Sequence, residues 1–267
     1  MLTNQQIKQW KEEGYVIIPD FFSNHEVEIM RNELERFRNE GIGRNPVTDG
    51  DGETTSQKNI NYQVIPLNTI SEAYRSLPYL PKVQEALAGL LGPNVIRILD
   101  QIFLKPAGNG AGTNWHTDNA YFKVKKSTEG TGMWIALHDA NKENGTMRII
   151  PKSHKDNYEH ERDLGSDHHV TCAADVNEED AVYVEVPAGG VIFFNFGIAH
   201  ATGANKTDKD RAGCAYHFTT PNAIKSIGRG FSENGKTIMG SSEGLKFEEY
   251  TSQPDISIWE GPKLASV

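Results

Sequence analysis

The stretch Asn114-Trp115-His116-Thr117-Asp118-Asn119-Ala120-Tyr121-Phe122 decides how this chain is interpreted. It places a histidine and an aspartate two residues apart, after an apolar run and a glycine-rich loop. Side chains of an extended strand repeat with a period of two, so a His-x-Asp pair presents an imidazole nitrogen and a carboxylate oxygen on the same side. These groups make half of a metal site, and the rest of the sequence must supply the other half.

The other half is predicted near residue 200. His200 follows the apolar segment 191–196, and Arg211 comes eleven positions later at the head of another apolar segment. A histidine at the end of such a strand can meet an early His-x-Asp when two sheets close on each other. Two imidazoles and one carboxylate on one face leave adjacent positions open, which suits ferrous iron that must bind a chelating co-substrate and dioxygen. The arginine offers a permanently charged fork for a distant carboxylate.

Composition indicates an ordinary globular protein. The chain has 267 residues, 37% of them hydrophobic, 24% charged, with a net charge of −9. This acidic balance gives no support to nucleic-acid binding or to docking on an anionic membrane. No apolar run approaches the roughly 20 residues that span a bilayer. Two cysteines without a disulfide framework, and no signal-peptide pattern at the N-terminus, predict a cytoplasmic location.

Residues 1–94 predict a helical layer. Capping-box patterns begin two helices, at Thr3 and at Ser23, and a short strand is expected at 15–18 between them. A third helix is expected over Lys82–Leu91. The polar segment 41–61 has no apolar periodicity and is predicted to be a long loop, a feature that often forms a lid.

From Val95 the pattern becomes β. Short apolar segments separated by Gly, Pro and Asn turns predict a jelly roll, or double-stranded β-helix, with helices on one side. The predicted strands are Val95–Lys105, Thr131–Leu137, Met147–Ile150, Ala181–Val186, Val191–Phe196 and Ala212–Phe218. We expect one domain over 1–267, with its core at 95–220, an insertion at 152–180 and a tail at 221–267.

Two other motifs are discounted. The glycine-rich loop 108–112 matches neither dinucleotide nor P-loop patterns. Residues 240–244 read G-x-S-x-G, but the last histidine, His217, lies upstream, whereas a hydrolase of that type has its histidine downstream.

The three most specific parts of the sequence together resemble the phytanoyl-CoA dioxygenase family of Fe(II)/2-oxoglutarate-dependent oxygenases. These parts are Trp115–Asp118, the segment Gly145–His154, and the spacing from His200 to Arg211. The resemblance covers the chain from Gly14 to Phe218. It implies a mainly β fold with flanking helices around a jelly-roll core.

The resemblance also implies roles for individual residues. His116, Asp118 and His200 would bind the iron. Arg211 would pair with the far carboxylate of 2-oxoglutarate, and Thr202 would add a hydroxyl hydrogen bond. In addition, Trp134 would lie against the co-substrate, and Gln101 would contact the co-substrate or the substrate. Segments 41–61 and 152–180 are the expected lids.

The implied reaction is hydroxylation of an unactivated carbon in a small-molecule metabolite, with dioxygen and 2-oxoglutarate consumed and succinate and CO₂ released. Related halogenases have a small residue at the carboxylate position, so Asp118 favours hydroxylation. Trp134 also fits a role as simple β core, and His154 one in fastening a turn. Each of four histidines could line the pocket or be an ordinary histidine: His138, His168, His169 and His217.

Two alternatives stay open: a cupin-like zinc or manganese enzyme that does not use 2-oxoglutarate, and a non-catalytic jelly-roll binding protein. The resemblance spans acyl-CoA thioesters, amino-acid derivatives, phosphonates and secondary metabolites as substrates. Because no Lys/Arg cluster lies near the motifs, a small polar metabolite is favoured over a CoA ester. The oligomeric state stays open.

Overall fold

The computed structural model describes residues 1–172, 176–224, 231, 233–247 and 250–261. Its α-helices are α1 (Asn4–Glu13), α2 (Asn24–Asn39), α3 (Glu72–Ser76), α4 (Pro81–Leu91), α5 (Asn119–Phe122) and α6 (Pro221–Ile224). Short 3₁₀ helices lie at Leu77–Tyr79, Ser127–Glu129, Ser153–Lys155, Glu178–Asp180 and Ile256–Trp259. No described helix is both long and apolar enough to cross a membrane.

The predicted N-terminal helices are confirmed, together with their caps. The Thr3 hydroxyl accepts from the backbone N–H of Gln6, and Ser23 does the same for Glu26, so orphan donors of the first turn are satisfied. Gly14 ends α1 with a φ of 87°, a conformation that disfavours residues with a Cβ. The third predicted helix is α4, which begins one residue earlier because proline is well suited to the first helical position.

Thirteen strands are described. They are β1 (Tyr15–Ile18), β2 (Tyr62–Val64), β3 (Val95–Lys105), β4 (Thr113–His116), β5 (Gly130–Ala136), β6 (Met147–Ile149), β7 (His160–Arg162), β8 (Val170–Cys172), β9 (Val182–Tyr183), β10 (Val191–Asn195), β11 (His200–Thr202), β12 (Arg211–Thr219) and β13 (Lys236–Met239). All pairings between named strands are antiparallel. The major sheet has the order β1-β10-β5-β12-β3-β13, with β2 also pairing with β3.

The minor sheet has the order β4-β11-β6-β9, and β7 and β8 form a separate hairpin. Two antiparallel sheets with helices packed on the major one make the predicted jelly-roll core, so the expected fold class is confirmed. The helix residues Val27, Met30, Leu34 and Phe37 are buried in the same cluster as strand residues of the major sheet.

Side chains of the major sheet alternate between a face packed against the helices and a face that lines a cavity. On β12, Ala212, Cys214 and Tyr216 belong to the cluster beneath the helices. Arg211, Ala215 and His217, which alternate with them along the strand, line a cavity on the opposite face. A period of two thus separates the hydrophobic core from the site.

Several elements differ from the expectations. The predicted strand 181–186 is shorter, because only Val182 and Tyr183 pair with β6. The predicted insertion contains the β7–β8 hairpin, and it packs on the 41–61 loop: Val47 forms a β-bridge with Ser166. In the predicted tail, β13 extends the major sheet, while residues 225–230, 232, 248–249 and 262–267 of that tail lie outside the described residues.

Candidate active site

The His-x-Asp stretch joins a strand to a short helix. His116 is the last residue of β4, and it pairs with His200, the first residue of β11. Asp118 has helical dihedrals (φ −61°, ψ −28°) and immediately precedes α5. The expectation that one extended strand presents both side chains is therefore wrong, because the chain turns at Thr117, and the turn itself brings the carboxylate back to the imidazoles.

Three side chains converge here. One donor atom each from His116, Asp118 and His200 all lie within 4.8 Å of one another, and the three residues are buried. His200 Nε2 is 3.8 Å from Asp118 Oδ1, and the two imidazole centroids are 4.2 Å apart. Among the described residues this is the one group of three or more His, Cys, Asp or Glu side chains close enough to hold a metal ion.

Backbone carbonyls fix the tautomers of both histidines. His116 Nδ1 lies 2.8 Å from the carbonyl oxygen of Asn114, and His200 Nδ1 lies 3.0 Å from that of Ile198. Since a carbonyl oxygen can only accept, each Nδ1 carries the proton and each Nε2 is left as a free lone pair. Burial, with a further contribution from the neighbouring His200, lowers the pKa of His116 to about 3, so this imidazole is neutral.

His217 orients the carboxylate. Its Nε2 lies 3.1 Å from Asp118 Oδ2, while Oδ1 faces His200. Burial acts to raise the pKa of Asp118, but the surrounding histidines, His217 foremost, hold it below its usual range. Two imidazole nitrogens and one carboxylate oxygen are the donor set of non-haem ferrous sites, so these residues fit Fe(II).

A cavity of about 100 Å³ adjoins the three ligands. All seven residues singled out in the sequence line it: Gln101, His116, Asp118, Trp134, His200, Thr202 and Arg211. Arg211 is only 2% exposed. Its Nε donates to the carbonyl oxygen of Asn144 (3.3 Å), its Nη2 donates to that of Gly145, and its guanidinium carbon lies 5.8 Å from the centroid of the Trp134 ring.

Lys105 is a second buried cation in this cavity, which the sequence analysis missed. It is 3% exposed and lies directly across from Arg211 in the pairing of β3 with β12. Its Nζ donates to the carbonyl oxygen of Ala111, and no ion pair to Lys105 or Arg211 is found among the described residues. Burial and the charge of Arg211 hold the pKa of Lys105 well below its usual range, and burial lowers that of Arg211 to about 10. Two buried cations without a counter-ion make the cavity attractive to an anion.

The remaining predicted co-substrate contacts have protein partners as well. The Thr202 hydroxyl donates to that of Thr113 at 3.0 Å, so its proton has to turn toward the cavity to reach a carboxylate, which only accepts. Trp134 packs so closely over Gly213 that a Cβ there would lie 2.4 Å from the ring. Trp134 therefore serves both as β core and as cavity wall.

The other histidines have different surroundings. His168, His169 and His217 line a second cavity of about 300 Å³ that also reaches His116 and Asp118. His138 accepts from the backbone N–H of Ala212 at 3.0 Å and lines neither cavity.

His160 is a further residue that the sequence analysis did not single out. Its Nδ1 donates to the carbonyl oxygen of Tyr158 (3.0 Å), so its Nε2 is free to accept from the backbone N–H of Thr117, at 3.1 Å. Thr117 is the residue between the two ligands His116 and Asp118. Through His160, the 152–180 segment therefore hydrogen bonds to residues 116–118, which we call the ligand loop.

Comparison with known proteins agrees with this arrangement. The family model for phytanoyl-CoA dioxygenase (PhyH) matches residues 10–213. The chain belongs to the phytanoyl-CoA dioxygenase family. It is 24% identical to the peroxisomal phytanoyl-CoA dioxygenase of Bos taurus over 237 residues, covering 83% of this chain and 70% of the relative.

Solved structures show that the fold is shared with other non-haem enzymes. The non-haem monooxygenase ThoJ superposes with a TM-score of 0.73 at 21% identity, covering 95% of this chain and 91% of ThoJ. The epimerase SnoN, in complex with Fe³⁺, alpha ketoglutarate and nogalamycin RO, gives a TM-score of 0.68 at 21% identity, covering 81% and 83%. As a member of the phytanoyl-CoA dioxygenase family with an intact His-Asp-His triad, the protein is an Fe(II)- and 2-oxoglutarate-dependent oxygenase.

Proposed function

We propose that this oxygenase hydroxylates an unactivated carbon of a small-molecule metabolite. The observation that carries the proposal is the junction of the His116, Asp118 and His200 triad with a cavity holding two buried cations, Arg211 and Lys105. The triad supplies the donor atoms that suit a ferrous ion, and the cations supply charge-assisted hydrogen bonds for a dicarboxylate co-substrate.

The chain's own residues would act as follows. His116 and His200 bind iron through Nε2, and Asp118 binds through Oδ1 while His217 holds Oδ2. Iron, when bound, supplies dioxygen activation coupled to the oxidative decarboxylation of 2-oxoglutarate to succinate and CO₂.

Arg211 binds the distal carboxylate of 2-oxoglutarate with charge-assisted hydrogen bonds. Lys105, directly across the strand pair, adds a second positive charge, and Thr202 donates its hydroxyl proton once this turns from Thr113 to the carboxylate. Trp134 closes the wall of the cavity, and Gln101, which lines both cavities, contacts the co-substrate or the substrate.

Two further features support hydroxylation in a closed site. The carboxylate of Asp118 occupies the position that halogenases leave small, which favours hydroxylation over chlorination. Segments 41–61 and 152–180 act as one composite lid, since they hydrogen bond to each other: Thr48 N–H donates to the carbonyl oxygen of Gly165 at 3.1 Å, and Arg162 donates to that of Gly52 at 2.7 Å.

Free cysteines at Cys172 and Cys214 are consistent with a cytoplasmic location.

The experiment is a metabolite screen that records succinate formed from 2-oxoglutarate with Fe(II), followed by mass analysis of the hit. A product heavier by one oxygen atom supports hydroxylation. Asp118→Ala should abolish turnover, and full hydroxylation by this variant would contradict the assignment. Turnover that needs Zn²⁺ or Mn²⁺ but no 2-oxoglutarate would instead support the cupin-like alternative.

A further inference from the structure

The second cavity, of about 300 Å³, has the size and position of a primary substrate site. It shares His116 and Asp118 with the first cavity, but Arg211 and Lys105 line only the first one. Its volume is at the lower end of the roughly 300–1,000 Å³ that small-molecule sites occupy. A small ligand, or one small part of a ligand, fits here.

A pair of glutamine side chains forms one polar part of its wall, apart from the histidines and Asp118 that also line it. Gln63 on β2 is 1% exposed, and its Nε2 donates to Oε1 of Gln101 on β3 at 2.9 Å. Gln63 Oε1 is buried without a hydrogen-bond partner. Gln101 is only half-buried, and its Nε2 has no hydrogen-bond partner among the described residues. Buried polar groups are nearly always satisfied, and leaving one unpaired costs about 1–3 kcal/mol.

The unpaired groups are one acceptor and one donor. Turning both amides exchanges their roles, so that Gln101 donates to Gln63, but one donor and one acceptor still remain free. A ligand that satisfies both must itself carry a donor and an acceptor close together. A carboxylate carries acceptors alone and would leave the free acceptor unpaired.

The wall also has an apolar part. Leu99 and Ile65 contribute aliphatic surface, and Phe122 packs edge-on to Phe231 with centroids 4.8 Å apart. The cation at the rim, Arg44, is already paired with Asp167.

We infer that the primary substrate binds in this cavity through a neutral amide-type group that hydrogen bonds to Gln63 and Gln101, with its carbon skeleton against Leu99, Phe122 and Phe231. Gln63 is then a specificity-determining residue. This inference rests on the proposed function, since it takes the triad to be the iron site.

The test measures binding and not turnover. The Fe(II)·2-oxoglutarate form is prepared without oxygen, and its weak visible charge-transfer band is recorded first in every protein. Matched pairs are then titrated, hexanamide against hexanoate and 3-phenylpropanamide against 3-phenylpropanoate, together with hexanoyl-CoA, and both the band and the thermal unfolding midpoint are followed. The proteins are wild type, Gln63→Leu, and Gln5→Leu as a control at an exposed glutamine.

We expect the amides to bind wild type and Gln5→Leu roughly tenfold more tightly than the acids, and Gln63→Leu to lose that preference. A preference for the acids or the thioester overturns the inference, as does an unchanged amide preference in Gln63→Leu or no amide binding to wild type. A wild type without the charge-transfer band contradicts the proposed function and the inference with it. A normal band without amide preference contradicts the inference alone.

Discussion

His217 Nε2 lies 3.1 Å from Asp118 Oδ2, and this contact decides which carboxylate oxygen is free to bind a metal. Since His217 holds Oδ2, Oδ1 is left facing His200. Partners of this kind fix the orientation of a ligand and tune its basicity. The strand that carries His217 also carries Arg211, so β12 serves both the metal and the co-substrate sides of the site.

Replacing His217 should weaken metal binding without removing a ligand. His217→Phe loses the hydrogen bond to Asp118, and we expect the affinity for Fe(II) to fall about 10- to 100-fold. Anaerobic calorimetric titration measures this. His25→Phe, at an exposed histidine of α2, is the control and should bind like wild type. Equal affinities in all three proteins would show that His217 does not position Asp118.

His160→Leu should loosen the ligand loop. The backbone N–H of Thr117 loses its acceptor, which costs about 1–3 kcal/mol of unfolding free energy. Urea unfolding measures this loss, and iron titration should show weaker binding, because His116 and Asp118 flank Thr117. His25→Leu is the control for the change of residue type. Normal iron affinity in a destabilised His160→Leu would limit His160 to a structural role.

Arg211→Met should separate co-substrate binding from metal binding. Hydrogen bonds to charged groups contribute about 1.5–3 kcal/mol, which corresponds to a roughly ten- to hundredfold loss of 2-oxoglutarate affinity. Iron affinity measured without 2-oxoglutarate should stay at the wild-type level, because Arg211 is not part of the triad. Unchanged 2-oxoglutarate affinity would favour an enzyme that uses another co-substrate.

Lys105→Met should stabilise the protein while weakening 2-oxoglutarate binding. The lysine is a buried cation opposite Arg211, and methionine replaces it with an apolar chain of similar length. Thermal unfolding and 2-oxoglutarate titration measure the two effects. A destabilised variant with normal 2-oxoglutarate affinity would contradict the role given to Lys105.

The pH dependence of this stability difference has a definite sign. The folded-state pKa of Lys105 lies well below its ordinary value of 10.5, so the unfolded chain holds the proton more tightly. Burying the protonated Lys105 lowers the free energy of unfolding of the wild type. This loss is complete below the lowered pKa, and it disappears as the pH rises from there toward 10.5. The stability advantage of Lys105→Met should therefore shrink with increasing pH, and urea unfolding at several pH values tests this.

The sequence was sufficient to predict the fold class and that His116, Asp118 and His200 lie close together. The His-x-Asp pair, His200 and Arg211 are distant in sequence, and the antiparallel fold that the pattern predicts brings them together. Apolar patterns located most strands and the first helices. The backbone at Asp118 was not predicted, because a strand pattern does not reveal that the strand ends at His116.

The residues that support the site could not be found from local patterns. Lys105 reads as the ordinary end of a strand, and only its pairing opposite Arg211 shows that it is buried. The partners of His160 and Gln63, namely Thr117 and Gln101, are distant in sequence, and hydrogen bonds between distant segments have no periodic signal. Strand β2 is too short for alternation to identify.

The central proposal is that His116, Asp118 and His200 bind an iron ion and that 2-oxoglutarate chelates the same ion. The most direct measurement is the visible spectrum of the protein after anaerobic addition of Fe(II) and 2-oxoglutarate. We predict a weak charge-transfer band in the wild type that is absent in His200→Ala. A wild-type protein that shows no such band, or a His200→Ala variant that shows it at full strength, would contradict the account.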